Sequence, residues 1–510
     1  MANIDSFKEE INQGYTFKGN SFVLGGAMLD KQSVANTPIK VPLKSLNRHG
    51  LIAGATGTGK TKSVQLFSEK LSENGISVLM MDIKGDFSGI AAEGTSNPKI
   101  EERKTAIGID WKATKYPTEV FSISQQDGVR LRATVAEFGP ILISKILDLN
   151  DTQQGVIATL FKYCDDAHLP LLDLEDFKKV LQFASTEGKE ELEKEYGAVS
   201  PATFGTILRK VVELEQQGAN IFFGETSFDV NDLLRKDSNG YGYINVIRLT
   251  DIQDKPKLFS TFMLSLLAEI YEKFPEKGDQ EKPDLVIFID EAHLVFQEAS
   301  KALNEQIETI VKLIRSKGVG VFFCTQNPND IPNDVLGQLG MKIQHALRAF
   351  TAKDRKAIKL VAENYPYTEN YEVENIITEM GIGEALVTVL NEKGIPTPLV
   401  HTLMAPPQSR MDVLSDSELN TLIKNSNLYN KYNQVIDRES AYEMLSKKML
   451  DAEKDEAKKE VVKERKTTSK KAEQSTIGKV LNSTTGRQVL RTATSTLTRG
   501  LLGILKNAMK

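Results

Sequence analysis

The sequence predicts an α/β protein with a mostly parallel sheet, an all-helical insertion, a small N-terminal β element and a helical C-terminal extension. Three observations predict it. Residues 54–61, Gly-Ala-Thr-Gly-Thr-Gly-Lys-Thr, complete a GxxxxGK[ST] phosphate loop between an apolar run and a helical pattern. A second apolar run, Leu285-Val286-Ile287-Phe288-Ile289, leads straight into Asp290-Glu291. The alternation of strand, loop, helix and strand around the loop makes a βαβ unit, which requires a parallel pair and a right-handed crossover.

Composition sets the bounds. At 510 residues the chain is too long for one ordinary domain, and 40% hydrophobic with 26% charged residues is a globular composition. Its two cysteines, Cys164 and Cys324, lie far apart without metal spacing. They exclude a disulfide framework or zinc site and fit a reducing compartment. No basic leader followed by an apolar stretch opens the chain, and no run approaches the roughly 18–20 apolar residues of a spanning helix. A cytoplasmic location is therefore expected. Charge is uneven: residues 451–510 hold 14 Lys and Arg against 7 Asp and Glu, while the whole chain is −5. The preceding body is thus strongly acidic, a poor open platform for nucleic acid unless a local basic lining or the tail does the gripping.

Taken in order, residues 1–48 give a short helix at about 3–13 and then two apolar stretches, 22–24 and 39–43, a small β element. Arg48, six residues before Gly54, is expected near the mouth of the loop. Gly50 to Ala53 read as a buried strand, and Lys60 to Asn74 as a helix with Val64, Phe67 and Leu71 on one face. The glycines have a purpose. Gly57, Gly59 and Lys60 must turn their backbone N–H groups into one concavity, and the helix N-terminus adds its positive end. The expected nucleotide contacts are Gly54, Ala55, Thr56, Gly57, Thr58, Gly59, Lys60, Thr61 and Lys62. Lys60 reaches the β and γ phosphates of ATP, and the Thr61 hydroxyl holds Mg²⁺. Val78 to Asp82 form the next buried strand, followed by Lys84-Gly85-Asp86 at its carboxyl end. A cap or an ion pair is as good a reading of these charges as catalysis. A third strand is expected at 119–123.

From 130 to 236 the period turns helical, with helices near 137–147, 151–166, 173–184, 187–196 and 201–217. This block reads either as a packing lid or as a device that grips a substrate or neighbour. The sheet resumes at 243–249, a helix follows at 257–273, and then comes the run into Asp290-Glu291. Asp290 is expected to bind Mg²⁺ through its water shell. Glu291 is expected to orient and deprotonate the attacking water. His293 is read as a structural neighbour. A helix at 300–316 ends in Arg315, and a strand at 319–324 ends at Thr325-Gln326. Gln326 either contacts the γ-phosphate or lytic water, or simply caps the strand. Arg315 is either a cation complementing the helix dipole or an arginine finger for a neighbouring subunit's ATP. Strands at 342–348, 383–390 and 397–404, with a helix at 371–380, close the core near Pro406-Pro407. Residues 416–470 read as increasingly charged helix. Residues 474–510 lack acids and space Leu490, Ala493, Leu497, Leu501 and Ile504 by three and four. They read as a basic amphipathic helix for lipid, DNA or a partner, or as a disordered tail.

Taken together, Arg48, Gly54 to Thr61, Asp290-Glu291, Arg315 and Thr325 to Pro328 resemble the HerA-like P-loop ATPases, relatives of the FtsK DNA pumps. The likeness covers about residues 20–410 and also rests on Asn47 to Ile52, Asp82 to Asp86, Leu149 to Gln153, Gln217 to Gly224, Leu313 to Gly320 and Gln338 to Phe350. It is strongest toward a bacterial helicase HerA-like subfamily. The resemblance implies a RecA-like sheet with the Gln326 strand between the phosphate loop and the Asp290 strand. It further implies a hexameric ring, Arg315 entering the adjacent site, and Arg48 as a second cation near the phosphates. Translocating members thread double-stranded DNA and often work beside a nuclease. The N-terminal β element is short for the barrel that docks the nuclease, and no basic pore loop stands out.

The expected organisation is an N-terminal β element (1–48), a first part of the ATPase core (49–129), a helical insertion (130–236) and a second core part (237–407). A charged helical extension (408–472) and a basic tail (473–510) follow. The expected activity is Mg²⁺-dependent ATP hydrolysis by a homo-oligomer that translocates on double-stranded DNA, with a nuclease or membrane partner through the tail. The alternative is an ATP-driven switch or scaffold acting on protein or membrane without DNA translocation.

Overall fold

Strands in the middle of the chain are apolar at nearly every position rather than alternately, the pattern of strands covered on both faces. Ser77–Asp82, Leu285–Ile289 and Val319–Thr325 are buried at every residue. The computed structural model describes residues 4–454 apart from 279, 297–300, 435, 437, 452 and 453. It joins these strands into one sheet of 12. In chain order they are β1 (Ser21–Leu29), β2 (Gln32–Pro42), β3 (Gly50–Ala53), β4 (Ser77–Asp82), β5 (Thr118–Ser122), β6 (Val129–Arg130), β7 (Ile244–Arg248), β8 (Leu285–Ile289), β9 (Val319–Thr325), β10 (Met341–Gln344), β11 (Glu384–Thr388) and β12 (Val400–Met404). Across the sheet the order is β2-β1-β12-β11-β10-β3-β9-β8-β4-β7-β5-β6. From β10 to β6 all neighbours are parallel. The four strands at the other edge are antiparallel. Strand β9 lies between β3 and β8, where the resemblance implies it.

The N-terminal hairpin β1–β2 continues this same sheet, because Gly25, Gly26 and Ala27 pair with Met404, Leu403 and Thr402 of β12. Its seat is set by residues almost 400 positions later in the chain.

The helices are α1 (Ile4–Gly14), α2 (Lys60–Glu73), α3 (Pro98–Ile107), α4 (Val135–Ile146), α5 (Asp151–Asp166), α6 (Leu174–Ser185), α7 (Lys189–Tyr196), α8 (Pro201–Gln216), α9 (Pro256–Lys273), α10 (His293–Phe296), α11 (Lys301–Ile314), α12 (Asn333–Leu336), α13 (Ala352–Glu363), α14 (Val373–Glu379), α15 (Asp416–Lys424) and α16 (Tyr429–Tyr432). Helix α2 is held by Phe67, whose ring meets those of Phe22, Phe288 and Phe322 at centroid distances of 5.1, 5.7 and 5.2 Å. One side chain thus ties the helix to β1, β8 and β9. Helices α4 to α8 form the expected helical block. Their starts are written in the sequence: Thr134, Asn150 and Asp173 cap α4, α5 and α6 through reciprocal boxes, and Ser200 caps α8 with Pro201 at its first position. Helix α4 breaks at Gly139, where φ is +66° just before Pro140.

Two helices of more than one turn, α3 and α13, lie outside the elements the sequence predicts. Both carry start signals: Asn97 accepts from Lys99 and Ile100 with Pro98 next in line, and Thr351 and Asp354 make a capping box. Met1–Ser446 forms one compact unit, and Lys447–Lys510 a second. Of the second, only 447–451 and 454 are described; 447–451 and 454 are helical. The amphipathic segment read at 474–510 lies outside the described residues. No helix among the described residues is long and apolar enough to cross a membrane. Cys164 and Cys324 are buried and unbridged.

Candidate nucleotide site

The loop from Gly54 to Gly59 hangs from the carboxyl ends of two strands that flank β3. Gly54 N–H donates to Thr325 at 3.2 Å, and Ala55 N–H donates to the Ala346 carbonyl at 2.8 Å. Gly54, Gly57 and Gly59 take φ of +153°, +77° and +111°, a backbone that side chains resist. Gly59 opens α2 without a side-chain cap. The first N–H groups of the helix are left for an anion, with the helix dipole behind them. Lys60 is buried and folds its ammonium back to the Gly54 carbonyl at 2.5 Å. Burial lowers its pKa, and the charge of Lys84 adds to the effect. Such an ammonium is ready for a phosphate.

The acids divide into two kinds. Asp82, at the end of β4, spends its carboxylate on the next turn, accepting from Gly85, Asp86 and Phe87 N–H at 2.7, 3.3 and 3.2 Å. Burial pushes its carboxyl up to about 6. That turn aims Asp86 at the loop, where its carboxylate accepts from the Thr61 hydroxyl at 3.1 Å. The cap reading of Asp82 and the ion-pair reading of Lys84 both describe what is found.

Asp290 and Glu291 follow β8 and differ in environment. Burial pushes Asp290 up to about 7, against the opposing charge of Lys84. Glu291 is also buried, but its ion pair with Lys84 and a bond from Gln326 outweigh burial and lower its pKa. Gln326 donates to the two Glu291 oxygens at 3.2 and 3.4 Å. Its own amide oxygen accepts from Thr56 of the loop at 3.4 Å. His293 Nδ1 lies 3.2 Å from Glu291, a neighbour as expected. Glu291 itself sits at φ +45°, a left-handed conformation that costs a glutamate roughly 1–2 kcal/mol. The chain holds it there because Ala292 N–H donates to Cys324 of β9 and Leu294 N–H returns to the Glu291 carbonyl, both at 2.9 Å. Strain kept at this point throws the carboxylate toward Gln326 and the loop.

Two expected members do not join this cluster. Arg48 precedes β3, so the whole strand separates it from Gly54. Its carbonyl accepts from Gly340 N–H, and its guanidinium lies against Gly394 in the turn between β11 and β12. It stands on the amino edge of the sheet, not at the loop mouth of its own chain. Lys62 gives its ammonium to the Met411 carbonyl and to Gln65, the latter at 3.1 Å, rather than to the loop. Arg315 lies on the same amino edge as Arg48, just before β9. Its charge, after burial, helps to hold His49 down to about 4. His49 in turn accepts from Val321 N–H at 3.0 Å through Nδ1.

Beside the loop, on the side of Gly59 and Ser63, a recess of about 210 Å³ opens, walled by Ile100, Ile382, Met404 and Pro406. Its frame is Arg103 of α3. One guanidinium nitrogen donates to the Gly383 and Met404 carbonyls at 2.9 and 3.0 Å, the other to Ile382 at 2.6 Å. Gly383 N–H donates to Thr58 of the loop at 2.9 Å. Arg103 belongs to none of the motifs in the sequence; the signal for it is the Asn97-Pro98 start and Gly108 stop of its helix.

Comparison with known proteins identifies the family and the fold. The family described as Helicase HerA-like C-terminal matches residues 28–510. The DNA double-strand break repair helicase HerA of Sulfolobus acidocaldarius is 22% identical over 381 residues, covering 74% of this chain and 69% of that protein. The protein of the same name from Saccharolobus solfataricus is 23% identical over 383 residues, covering 74% and 68%. Among solved structures, the plasmid coupling protein TrwB with a non-hydrolysable ATP analogue aligns with a TM-score of 0.52 at 13% identity, over 80% of this chain and 95% of that one. That likeness bears on the fold, which is the RecA-like α/β architecture of P-loop ATPases. With the family matched over nearly its whole length, the chain belongs to the HerA-like helicase family, C-terminal type.

Proposed function

We propose that the chain is a Mg²⁺-dependent ATPase that assembles into a ring, six subunits by the family resemblance, and translocates on double-stranded DNA. One observation carries the hydrolytic part. Glu291, a carboxylate with lowered pKa, stands between Lys84 and Gln326, within reach of the loop through Thr56. A kinase needs no second acid for water; a hydrolase does.

In this reading the loop N–H groups and Lys60 take the β and γ phosphates, and the recess framed by Arg103 takes the base. Water attacks the γ-phosphoryl in line. Glu291 orients it and takes its proton, and Gln326 links that carboxylate to Thr56, so loss of the γ-phosphate is felt at the strand end. The donors fit magnesium: the Thr61 hydroxyl beside the Asp86 carboxylate, with Asp290 nearby, is an oxygen-only set. Bound there, the ion supplies charge neutralisation across the β and γ phosphates. Arg315 and Arg48, both on the far edge of the sheet, act in the site of the next subunit. The DNA part is supported by the HerA relatives, which are DNA double-strand break repair helicases.

The test is the Mg-ATPase rate with and without long duplex DNA over a salt series. Stimulation that fades as salt rises supports the translocase. A rate indifferent to DNA but raised by liposomes or a protein partner favours the switch or scaffold.

A further inference from the structure

The acidic body raises the question of where a polyanion would bind, and one stretch of the described residues answers it. Between Arg348 and Glu363 stand Arg348, Lys353, Arg355, Lys356 and Lys359 against only Asp354 and Glu363. All five cations are exposed. None is within ion-pair distance of a carboxylate among the described residues, although elsewhere lysines and arginines commonly are. Of the two acids, the one set between the cations is occupied: Asp354 accepts from Phe350 and Thr351 N–H at 3.0 and 2.8 Å, closing the cap of α13.

Helical geometry gathers the charges. At 100° per residue, Lys353, Arg355, Lys356 and Lys359 fall on one arc, opposite the buried Ile358 and Val361 that seat the helix. The same stretch of chain exposes apolar side chains beside the cations: Phe350 at 86%, Leu360 at 56% and, just beyond the helix, Tyr367 at 88%. Cations interleaved with exposed aromatics are the footprint of nucleic acid rather than of a solvated helix. Side chains three and four apart on a helix are roughly 5–6 Å from one another, close enough for consecutive phosphates of one strand.

The strip is also wired to the nucleotide site. It leaves the end of β10 two residues after Ala346, whose carbonyl holds the Ala55 N–H of the phosphate loop at 2.8 Å. Arg348 is pinned where the strip begins, donating to the Thr378 carbonyl at 3.0 Å. The strip therefore begins within three residues of the loop's anchor on β10.

We infer that the surface from Arg348 to Tyr367, centred on α13, contacts the phosphodiester backbone of duplex DNA, with Arg355, Lys356 and Lys359 on phosphates and Phe350 packed against sugar. This rests on the proposed DNA-dependent function and names the surface that serves it.

The test is duplex binding by fluorescence anisotropy over a salt series, comparing the wild type with R355A/K356A/K359A and with F350A. Three lost phosphate contacts lower the slope of log K against log salt by about 2.7 and weaken binding at least tenfold at moderate salt. F350A weakens binding at unchanged slope. Basal ATPase without DNA stays at the wild-type rate in both. A wild type that binds duplex while the triple variant keeps its slope and affinity overturns the surface but leaves the DNA function standing. A wild type that binds no duplex overturns both. A triple variant with fewer subunits by mass photometry overturns the DNA contact too, and reassigns the strip to subunit packing.

Discussion

Replacing Arg315 by alanine asks whether one subunit completes the site of the next. Arg315 precedes β9 and Gln326 follows it, so the seven residues of that strand lie between them. At roughly 3.3 Å per residue this is about 23 Å, far beyond the reach of a side chain. The guanidinium therefore has no path to the phosphates of its own loop. If it serves a neighbour, R315A should lose about 10³ to 10⁵ in kcat, or roughly 4–7 kcal/mol of barrier stabilisation. The decisive assay mixes R315A with E291Q, each inactive alone, at equal amounts. An interface works when a subunit with intact Glu291 is followed by one with intact Arg315. Random assembly makes about one interface in four of that kind, so the mixture should recover about a quarter of the wild-type rate. R315A turning over at the wild-type rate, or a mixture no faster than its parents, would refute completion in trans.

Three further outcomes are expected. K60A abolishes turnover, whereas E291Q retains ATP uncleaved, checked by phosphate release beside filter-bound nucleotide; normal hydrolysis in either removes the assignment. R103A, which frees the Ile382, Gly383 and Met404 carbonyls from their shared clamp, raises KM for ATP several-fold more than it lowers kcat, since the clamp frames the base recess and not the reacting atoms. Glu69 supplies a pH dependence of stability. It is buried under the chain end of the core, accepting from Gln408 N–H at 2.8 Å and Ser409 N–H at 3.0 Å, and burial pushes its carboxyl from 4.5 up to about 7. A raised folded pKa means a proton is taken up on folding, so its stabilisation is full below pH 4.5 and is lost as pH climbs through 7. The upper limit is about 3 kcal/mol. The Tm of E69Q, which cannot titrate, should therefore gain on that of the wild type between pH 5.5 and 8; a constant gap would count against the buried carboxylate.

What the sequence made legible follows from how local each signal is. The phosphate loop and the acidic pair at the end of β8 were readable because their chemistry forces residue types into short, fixed spacings. The buried strands β4, β8 and β9 were readable because burial on both faces writes unbroken apolar runs. Features that depend on distant partners were not. Nothing in residues 21–42 says that the hairpin will extend the ATPase sheet, since its partner β12 comes much later. Arg48 looked close to the loop because only β3 divides them in sequence. In space a strand is the longest way to spend those residues, and it carries the arginine to the opposite edge. Lys84 and Glu291 are more than 200 residues apart, and only the parallel pairing of β4 with β8 brings their loops together. Helix α13 is hard to read from sequence for another reason. Its cap signal is plain, but its buried face is reduced to Ile358 and Val361, and a helix so lightly apolar reads as loop.

The division between the sheet edges also bears on the proposal that more than one copy of the chain builds the site. In a parallel sheet every strand end that can hold nucleotide faces one way, and here that edge gathers Gly54, Asp82, Asp290 and Gln326. The transition state for phosphoryl transfer spreads charge over the γ oxygens, and the cations on this edge are already engaged: Lys84 is paired with Glu291, and Lys62 is turned to Met411. Lys60 is the ammonium held at the loop itself. The further guanidiniums that the resemblance assigns to the phosphates, Arg48 and Arg315, lie together on the amino edge. A ring in which the amino edge of one subunit meets the carboxyl edge of the next brings both to the phosphates without moving either within its own fold. The two adjacent acids fit the same division. Asp290, pushed up toward 7, gains most from a cation brought beside it, while Glu291, its pKa lowered by Lys84, is the ionised carboxylate that the proposed attack on water requires.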